Sequence, residues 1–223
     1  MLPTEIAYRT FHISYADGEG TAFSFDRNNK QYLITAKHVI KDFPVFDNIE
    51  IFHDGYWKSV GAKLVGHSSV DVSVLALDVL VTNPGYILEP AIGGWFIGQE
   101  AFFVGFPLGL TAPGVESLFP TPLLKRATIS GIAGSESSSA YYLDALNNKG
   151  FSGAPVYLKV PAEDKFKVAL IVASYTATVE PVYDKDGNET EYVTWQNSGI
   201  MAAFNIKHAI EIIDANPIGV LLD

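Results

Sequence analysis

No cysteine occurs in this chain, so no disulfide holds it together and the fold rests on packing and hydrogen bonding alone. Such a composition suits a reducing compartment. Basic residues are scarce as well: 15 Lys and Arg stand against 25 Asp and Glu, a formal net charge of −10. Nucleic acids and anionic membranes are bound through basic patches, so neither is expected as a partner. Long hydrophobic runs are missing too. The longest, Val168 to Ala173, falls far short of the roughly 20 residues that span a bilayer. The opening Met1-Leu2-Pro3-Thr4-Glu5 has neither the basic region nor the apolar region of a secretory signal. A cytoplasmic protein is expected, or a mature chain whose signal was removed before this numbering begins.

What is present is a composition 48% hydrophobic, enough for a sizeable core. Short segments rich in β-formers recur along the chain, separated by turn residues. Thr21–Phe25 alternates, Arg27-Asn28-Asn29-Lys30 makes a turn, and Gln31–Thr35 follows. Further strands are expected at Ile6–Ser14, Ile49–His53, Trp57–Val65, Asp71–Asp78, Glu100–Phe106, Leu124–Ile132, Ala140–Asp144, Val156–Val160 and Val168–Thr176. Helical periodicity shows only over Asn205–Ala215, where Ile206, Ala209, Ile210 and Ile213 share one face. A break in pattern around Asn83-Pro84-Gly85 and Gly93-Gly94 divides the chain into halves. This predicts an all-β architecture of antiparallel barrels or sandwiches, with an N-terminal unit over 1–88, a second over 89–204, and a helix and tail over 205–223.

Three short strings carry chemistry. Asn148-Lys149-Gly150-Phe151-Ser152-Gly153-Ala154-Pro155 sets a serine between glycines, whose missing Cβ atoms permit left-handed backbone and close approach of a substrate. Amides around such a serine can converge on one point and stabilise an oxyanion. Upstream lie Thr35-Ala36-Lys37-His38-Val39 and Asp71-Val72-Ser73-Val74-Leu75. A serine hydroxyl needs an adjacent base to become nucleophilic, and His38 suits that role, with Asp71 orienting its imidazole.

In these strings and their order the chain resembles the trypsin-like, chymotrypsin-fold serine peptidases, whose triad runs His, Asp, Ser. Val104-Gly105-Phe106-Pro107-Leu108-Gly109, Leu143–Asn148 and Gly199–Phe204 make it most similar to the protease domain of the HtrA group, here without a following PDZ domain. The resemblance implies two antiparallel β-barrels with the active site between them, and a short C-terminal helix. It implies a serine endopeptidase with catalytic His38, Asp71 and Ser152, an oxyanion hole made by the amides of Gly150 and Ser152, and no cofactor or metal. Ser174, Tyr175 and Thr176 would pair with the substrate backbone, Ser174 also supporting Asp71. Leu146 would lie at the base of the primary specificity pocket and Thr176 on its wall, where many relatives have glycine. With nothing acidic at that base, cleavage after small or medium apolar residues is expected. Substrates would be peptides or unfolded proteins, and an activating protein partner stays open. Where digestive relatives carry an aspartate that pairs with a newly cut N-terminus, this chain has Phe151, so that route of activation is closed.

Other readings compete. An α/β-hydrolase would need Gly-x-Ser-x-Gly and a histidine after its acid, but Ala154 stands at the last glycine and strands do not alternate with helices. A silent protease fold used as a binding or adaptor module remains the alternative. Asp78 closes its strand and reads as a solvated end. His12, His53, His67 and His208 read as structural or surface groups. Asp184-Lys185-Asp186-Gly187-Asn188 lacks the spacing of a calcium loop and reads as an acidic hairpin, and Asn188-Glu189-Thr190 is a sequon that matters only in a secreted protein.

Overall fold

The structure, a computed structural model, describes residues 3–111, 120–135, 138–160 and 163–222. Met1 and Leu2 of the opening stretch and Asp223 of the tail therefore lie outside the described residues. The first half is built from β1 (Thr10–Tyr15), β2 (Gly18–Arg27), β3 (Lys30–Thr35), β4 (Phe46–His53), β5 (Tyr56–His67) and β6 (Ser73–Leu77). They form one antiparallel sheet in the order β3-β2-β1-β4-β5-β6, and β3 pairs β6 to close the ring. The second half holds β7 (Glu100–Gly105), β8 (Leu123–Ala133), β9 (Ala140–Asp144), β10 (Pro155–Val160), β11 (Lys165–Tyr183) and β12 (Glu189–Asn205), closed as a barrel in the order β10-β11-β12-β9-β8-β7. The expected chymotrypsin-like architecture is thus present.

Three apolar cores hold it. Phe11, Ile13, Leu33, Ile49 and Leu75 fill the first ring, and Phe103, Ile129, Leu143, Val156 and Leu170 fill the second. The third lies between the rings, where Phe23, Phe25, Ile34 and Val74 meet Val104, Tyr157, Val168 and Ile171. Neighbouring residues of one strand, such as Leu33 and Ile34, thus point to different cores, and both are fully buried. Strands covered on both faces read as continuous apolar runs rather than alternations.

The chain then returns to its start. Helix α2 (Lys207–Ala215) follows β12 and sets Ile206, Ala209 and Ile213 into the core between the rings. Strand β13 (Val220–Leu221) pairs with the beginning of β3, and Arg27 holds Asp214 through two bonds of 2.6 and 2.5 Å. At the other end, the β-rich stretch from Ile6 begins instead as a short helix, α1 (Thr4–Tyr8), before β1. Its exit is fixed by Arg9, only 1% exposed, which bonds the Asp26 carboxylate and the Ser24 carbonyl and also reaches Tyr86 O in the connection between the halves. Burying a cation is tolerated when carboxylate and carbonyls take its protons.

Candidate active site

His38 sits in a 3₁₀ turn, Lys37–Ile40, that follows β3. Asp71 lies just before β6, which pairs with β3, so the sheet register brings the two together. The Asp71 carboxylate accepts twice from one residue: from the His38 backbone amide at 2.9 Å and from His38 Nδ1 at 2.7 Å. A carboxylate can only accept here, so Nδ1 carries a proton, and in the neutral ring the lone pair is on Nε2. The imidazole is half exposed and Asp71 about a quarter exposed, which leaves the pair open on one side. Among the described residues Ser174 makes no bond to Asp71; the carboxylate is held by His38 alone. Asp78 stands exposed beyond the end of β6, away from His38.

Ser152 comes from the other half. Its loop is fastened to β2 by backbone: Thr21 N–H donates to Ser152 O at 2.8 Å. Gly20 shows how close the halves approach, since a Cβ there would meet Ser152 O at 2.8 Å and Val39 Cγ2, next to His38, at 2.8 Å. Among the described residues no hydrogen bond joins Ser152 to His38; the hydroxyl instead donates to Ala173 O across a long 3.4 Å. The Ser152 loop thus packs against β2 beside Val39, while His38 and Asp71 line a cavity of about 460 Å³ with Lys37, Lys41, Asp42 and His67.

The loop around Ser152 is pinned on several sides. Gly150 has φ +101°, and a Cβ would lie 2.1 Å from Phe106 O, so only glycine fits. Leu108 N–H donates to Lys149 O at 2.7 Å, and Thr21 Oγ1 donates to Gly150 O at 2.6 Å while accepting from Phe106 N–H at 3.1 Å. With both carbonyls taken, the peptide planes on either side of Gly150 are set. Among the described residues no protein acceptor takes the amides of Gly150 and Ser152. Phe151 is fully buried and meets Phe103 edge-on at 4.8 Å, so it anchors the loop in the second core.

Sequence reasoning missed three parts of this site. Thr21 clamps Gly150, but a threonine in an alternating strand carries no local sign of such a task. Lys125, on β8, donates to Leu146 O and places its ammonium 5.8 Å from the centre of the Phe151 ring; burial pushes its pKa down. Ala173 presents its carbonyl to Ser152, beside a shift of one residue in the register of β11 against β12 between Val172 and Ser174. Leu146 is 57% exposed beside the nucleophile loop, whereas Thr176 lines a cavity of about 470 Å³ with Tyr142, Asp144, Ser198 and Ile200. Leu146 is not among the residues that line this cavity. Of the other histidines, His12 bonds Glu19 at 2.7 Å and stacks on Phe106, and His67 Nδ1 meets Ser73 Oγ at 2.5 Å.

The trypsin-like peptidase domain, as a family model, matches residues 20–159. Among curated proteins none matches the chain. The fold is similar to that of Rv3671c from M. tuberculosis in its inactive form, with a TM-score of 0.59 and 17% identity over 96% of this chain and 89% of that one. It is similar to the HtrA-type protease AlgW with a tripeptide, at TM-score 0.61 and 19% identity, covering 95% of this chain but 61% of that one. It is also similar to a serine endoprotease from Yersinia pestis, at TM-score 0.60 and 18% identity over 96% and 67% of the two chains. At such identities the likeness is one of fold.

Proposed function

The chain belongs to the trypsin-like peptidase family of serine endopeptidases, and from that premise we propose that Ser152, His38 and Asp71 are its catalytic triad. The observation that carries this reading is the double acceptance by Asp71, which fixes the tautomer that leaves His38 Nε2 basic. Ser152 would reach that nitrogen by rotating off Ala173 O, a weak bond at 3.4 Å. A substrate amide N–H that donates to Ala173 O would take the serine's place there and free the hydroxyl for His38. Ser152 Oγ then attacks the scissile carbonyl as its proton passes to Nε2. The oxyanion is met by the amides of Gly150 and Ser152, and His38 returns the proton to the leaving amine. Water repeats the sequence on the acyl-enzyme.

Cleavage after small or medium apolar residues is the specificity we propose. Leu146 offers apolar surface beside the nucleophile loop, and the Lys125 ammonium on its carbonyl would repel a substrate Arg or Lys. A peptide library dominated by Arg or Lys on the acyl side would reverse this and point to Asp144, in the Thr176 cavity, as the group responsible.

Labelling by a fluorophosphonate, which reports an activated serine, separates a working enzyme from a silent fold used as a binding module. The wild-type protein is expected to label and Ser152→Ala not to. His38→Ala and Asp71→Asn should each lower kcat on a peptide by about 10⁴-fold or more. A folded wild-type protein that neither labels nor cleaves would establish the binding-module reading instead.

A further inference from the structure

From Leu146 to Ser152 every backbone carbonyl accepts a hydrogen bond. Some of these bonds are the loop's own: Asn148 O takes the Phe151 N–H at 3.2 Å, and Phe151 O takes the Ala154 N–H at 2.9 Å. Those on Lys149 O, Gly150 O and Ser152 O come from Leu108 and Thr21. The rest come from side chains of distant strands. Lys125 Nζ, on β8, donates to Leu146 O, and Asn197 Nδ2, on β12, donates to Asn147 O. The amides of Gly150 and Ser152 meet no protein acceptor among the described residues. Around the serine the loop thus ties down its acceptors and leaves these two donors open.

The two side-chain bonds fall where packing cannot hold the chain. Leu146, Asn148 and Lys149 are all exposed, so solvent covers most of the arm that leads to Gly150. Each side chain is itself fixed at a second point. Gly199 N–H can only donate and Asn147 O can only accept, so the Asn197 amide has one orientation: Oδ1 on Gly199 N–H at 3.0 Å and Nδ2 on Asn147 O. The Lys125 ammonium stands 5.8 Å from the centre of the buried Phe151 ring, within range of cation–π attraction. The exposed arm is therefore tied to β12 by one bond and to β8, over the second core, by the other. Released, it can rotate its peptides and turn C=O dipoles to where N–H groups stood, which disfavours an oxyanion.

We propose that Lys125 and Asn197 are positioning residues for the oxyanion-stabilising amides. They act through the carbonyls of Leu146 and Asn147, and they hold the nucleophile loop with its donors open before any substrate arrives. The proposal rests on Ser152 as nucleophile, but one arm of its test needs no catalysis.

The test uses two variants in the full chain. Lys125→Met keeps the aliphatic stem and loses the donor. Asn197→Asp keeps an oxygen for Gly199 N–H and sets a second oxygen against Asn147 O. With active sites counted by fluorophosphonate titration, each should lose about tenfold or more in kcat per site on a short peptide, with KM within about threefold of wild type, because the oxyanion donors serve the transition state and not ground-state binding. Lys125→Arg, which restores a cationic donor, should recover most of the loss. In hydrogen exchange, residues 146–152 should exchange about tenfold faster in both variants while β1 to β3 keep their wild-type rates. Unchanged kcat per site overturns the proposal, as does a loss carried by KM, which would make these side chains part of substrate binding. So does loop exchange that stays at the wild-type rate, or that speeds up equally in β1 to β3, which would make them general supports of the fold. A folded wild-type protein that does not label would strike the triad instead, and the exchange comparison would still decide whether Lys125 and Asn197 hold the loop.

Discussion

Two segments attached to β11 share a backbone device and use it oppositely. The nucleophile loop places Gly150 and Gly153 at φ +101° and +84°, and the tip of the long hairpin places Gly187 at φ +85°. Around the first two, added Cβ atoms would collide at 2.1 Å with Phe106 O and with Thr21 O; around Gly187 nothing lies within 4 Å. Phe151 between the loop glycines is fully buried, whereas Trp195 on the hairpin is 71% exposed. Glycine in the loop admits neighbouring backbone, and glycine at the tip only turns the chain. The loop is held by partners on three sides, from β2, from the turn at residues 106–109 and from the second core. The hairpin is held by its own ladder.

The sharpest way to break this contrast is to add one methyl group at each site. Gly153→Ala and Gly150→Ala should each lower peptide hydrolysis by about 10²-fold or more, because the backbone must move and an oxyanion donor moves with it. Gly187→Ala should cost only the strain of a left-handed alanine, about 1 kcal/mol, with activity on short peptides retained. Steady-state hydrolysis of a short peptide by the three variants measures this. Similar losses in all three would mean that φ alone, and not the surroundings, sets the cost.

A second contrast concerns stability. Phe151→Ala empties a site walled by Phe103 and should destabilise by about 3–5 kcal/mol in denaturant unfolding. Trp195→Ala removes a larger side chain, yet the change should stay within about 0.5 kcal/mol because solvent already covers most of it. A large loss at Trp195 would mean that the arm is packed against something in solution.

The same contrast explains what could be read in advance. The strings around His38, Asp71 and Ser152, the barrel strands and the closing helix carry their signals locally: a glycine-bracketed serine, apolar runs, a 3.6-residue stripe. The turn at Asp186-Gly187 was legible for the same reason, and Asp184 accepts from the amides of Asp186 and Asn188 as such a turn requires. The length of β11 and β12 was not legible. Past Thr176 the alternation of Val179, Pro181 and Val193 has no buried partner to give it meaning, and a proline argues against a strand until its edge is known. Thr21 and Lys125 escaped because their partners lie far along the chain, at Gly150 and Leu146. Ala173 escaped because it lies at a shift in the register of β11 against β12 that the sequence does not display.

The smallest expected effect is a dependence on pH confined to the pinned side of the molecule. His12 is buried against Phe106 and Trp57, next to the turn whose Leu108 N–H holds Lys149. Burial lowers its pKa, outweighing the opposing hydrogen bond and charge of Glu19, and burial likewise lowers those of His53, His67 and His208. A histidine whose folded-state value lies below its unfolded value, near 6.5, binds its proton less readily in the native protein. Its stabilising contribution is therefore complete above about pH 6.5 and is lost as pH falls from there through the folded-state value. The hairpin from residue 174 to 200 contains no histidine and has no such term. Thermal midpoints should accordingly fall on acidification from pH 7.5 to 5.5. His12→Phe, which keeps an aromatic ring on Phe106 but cannot titrate, should flatten part of that fall, with the remainder left to His53, His67 and His208. Replacing residues 178–194 by a short turn should leave the slope as it is. A midpoint that rises on acidification, or a slope that disappears with the hairpin and not with His12, would mean that the titrating groups lie on the free segment instead.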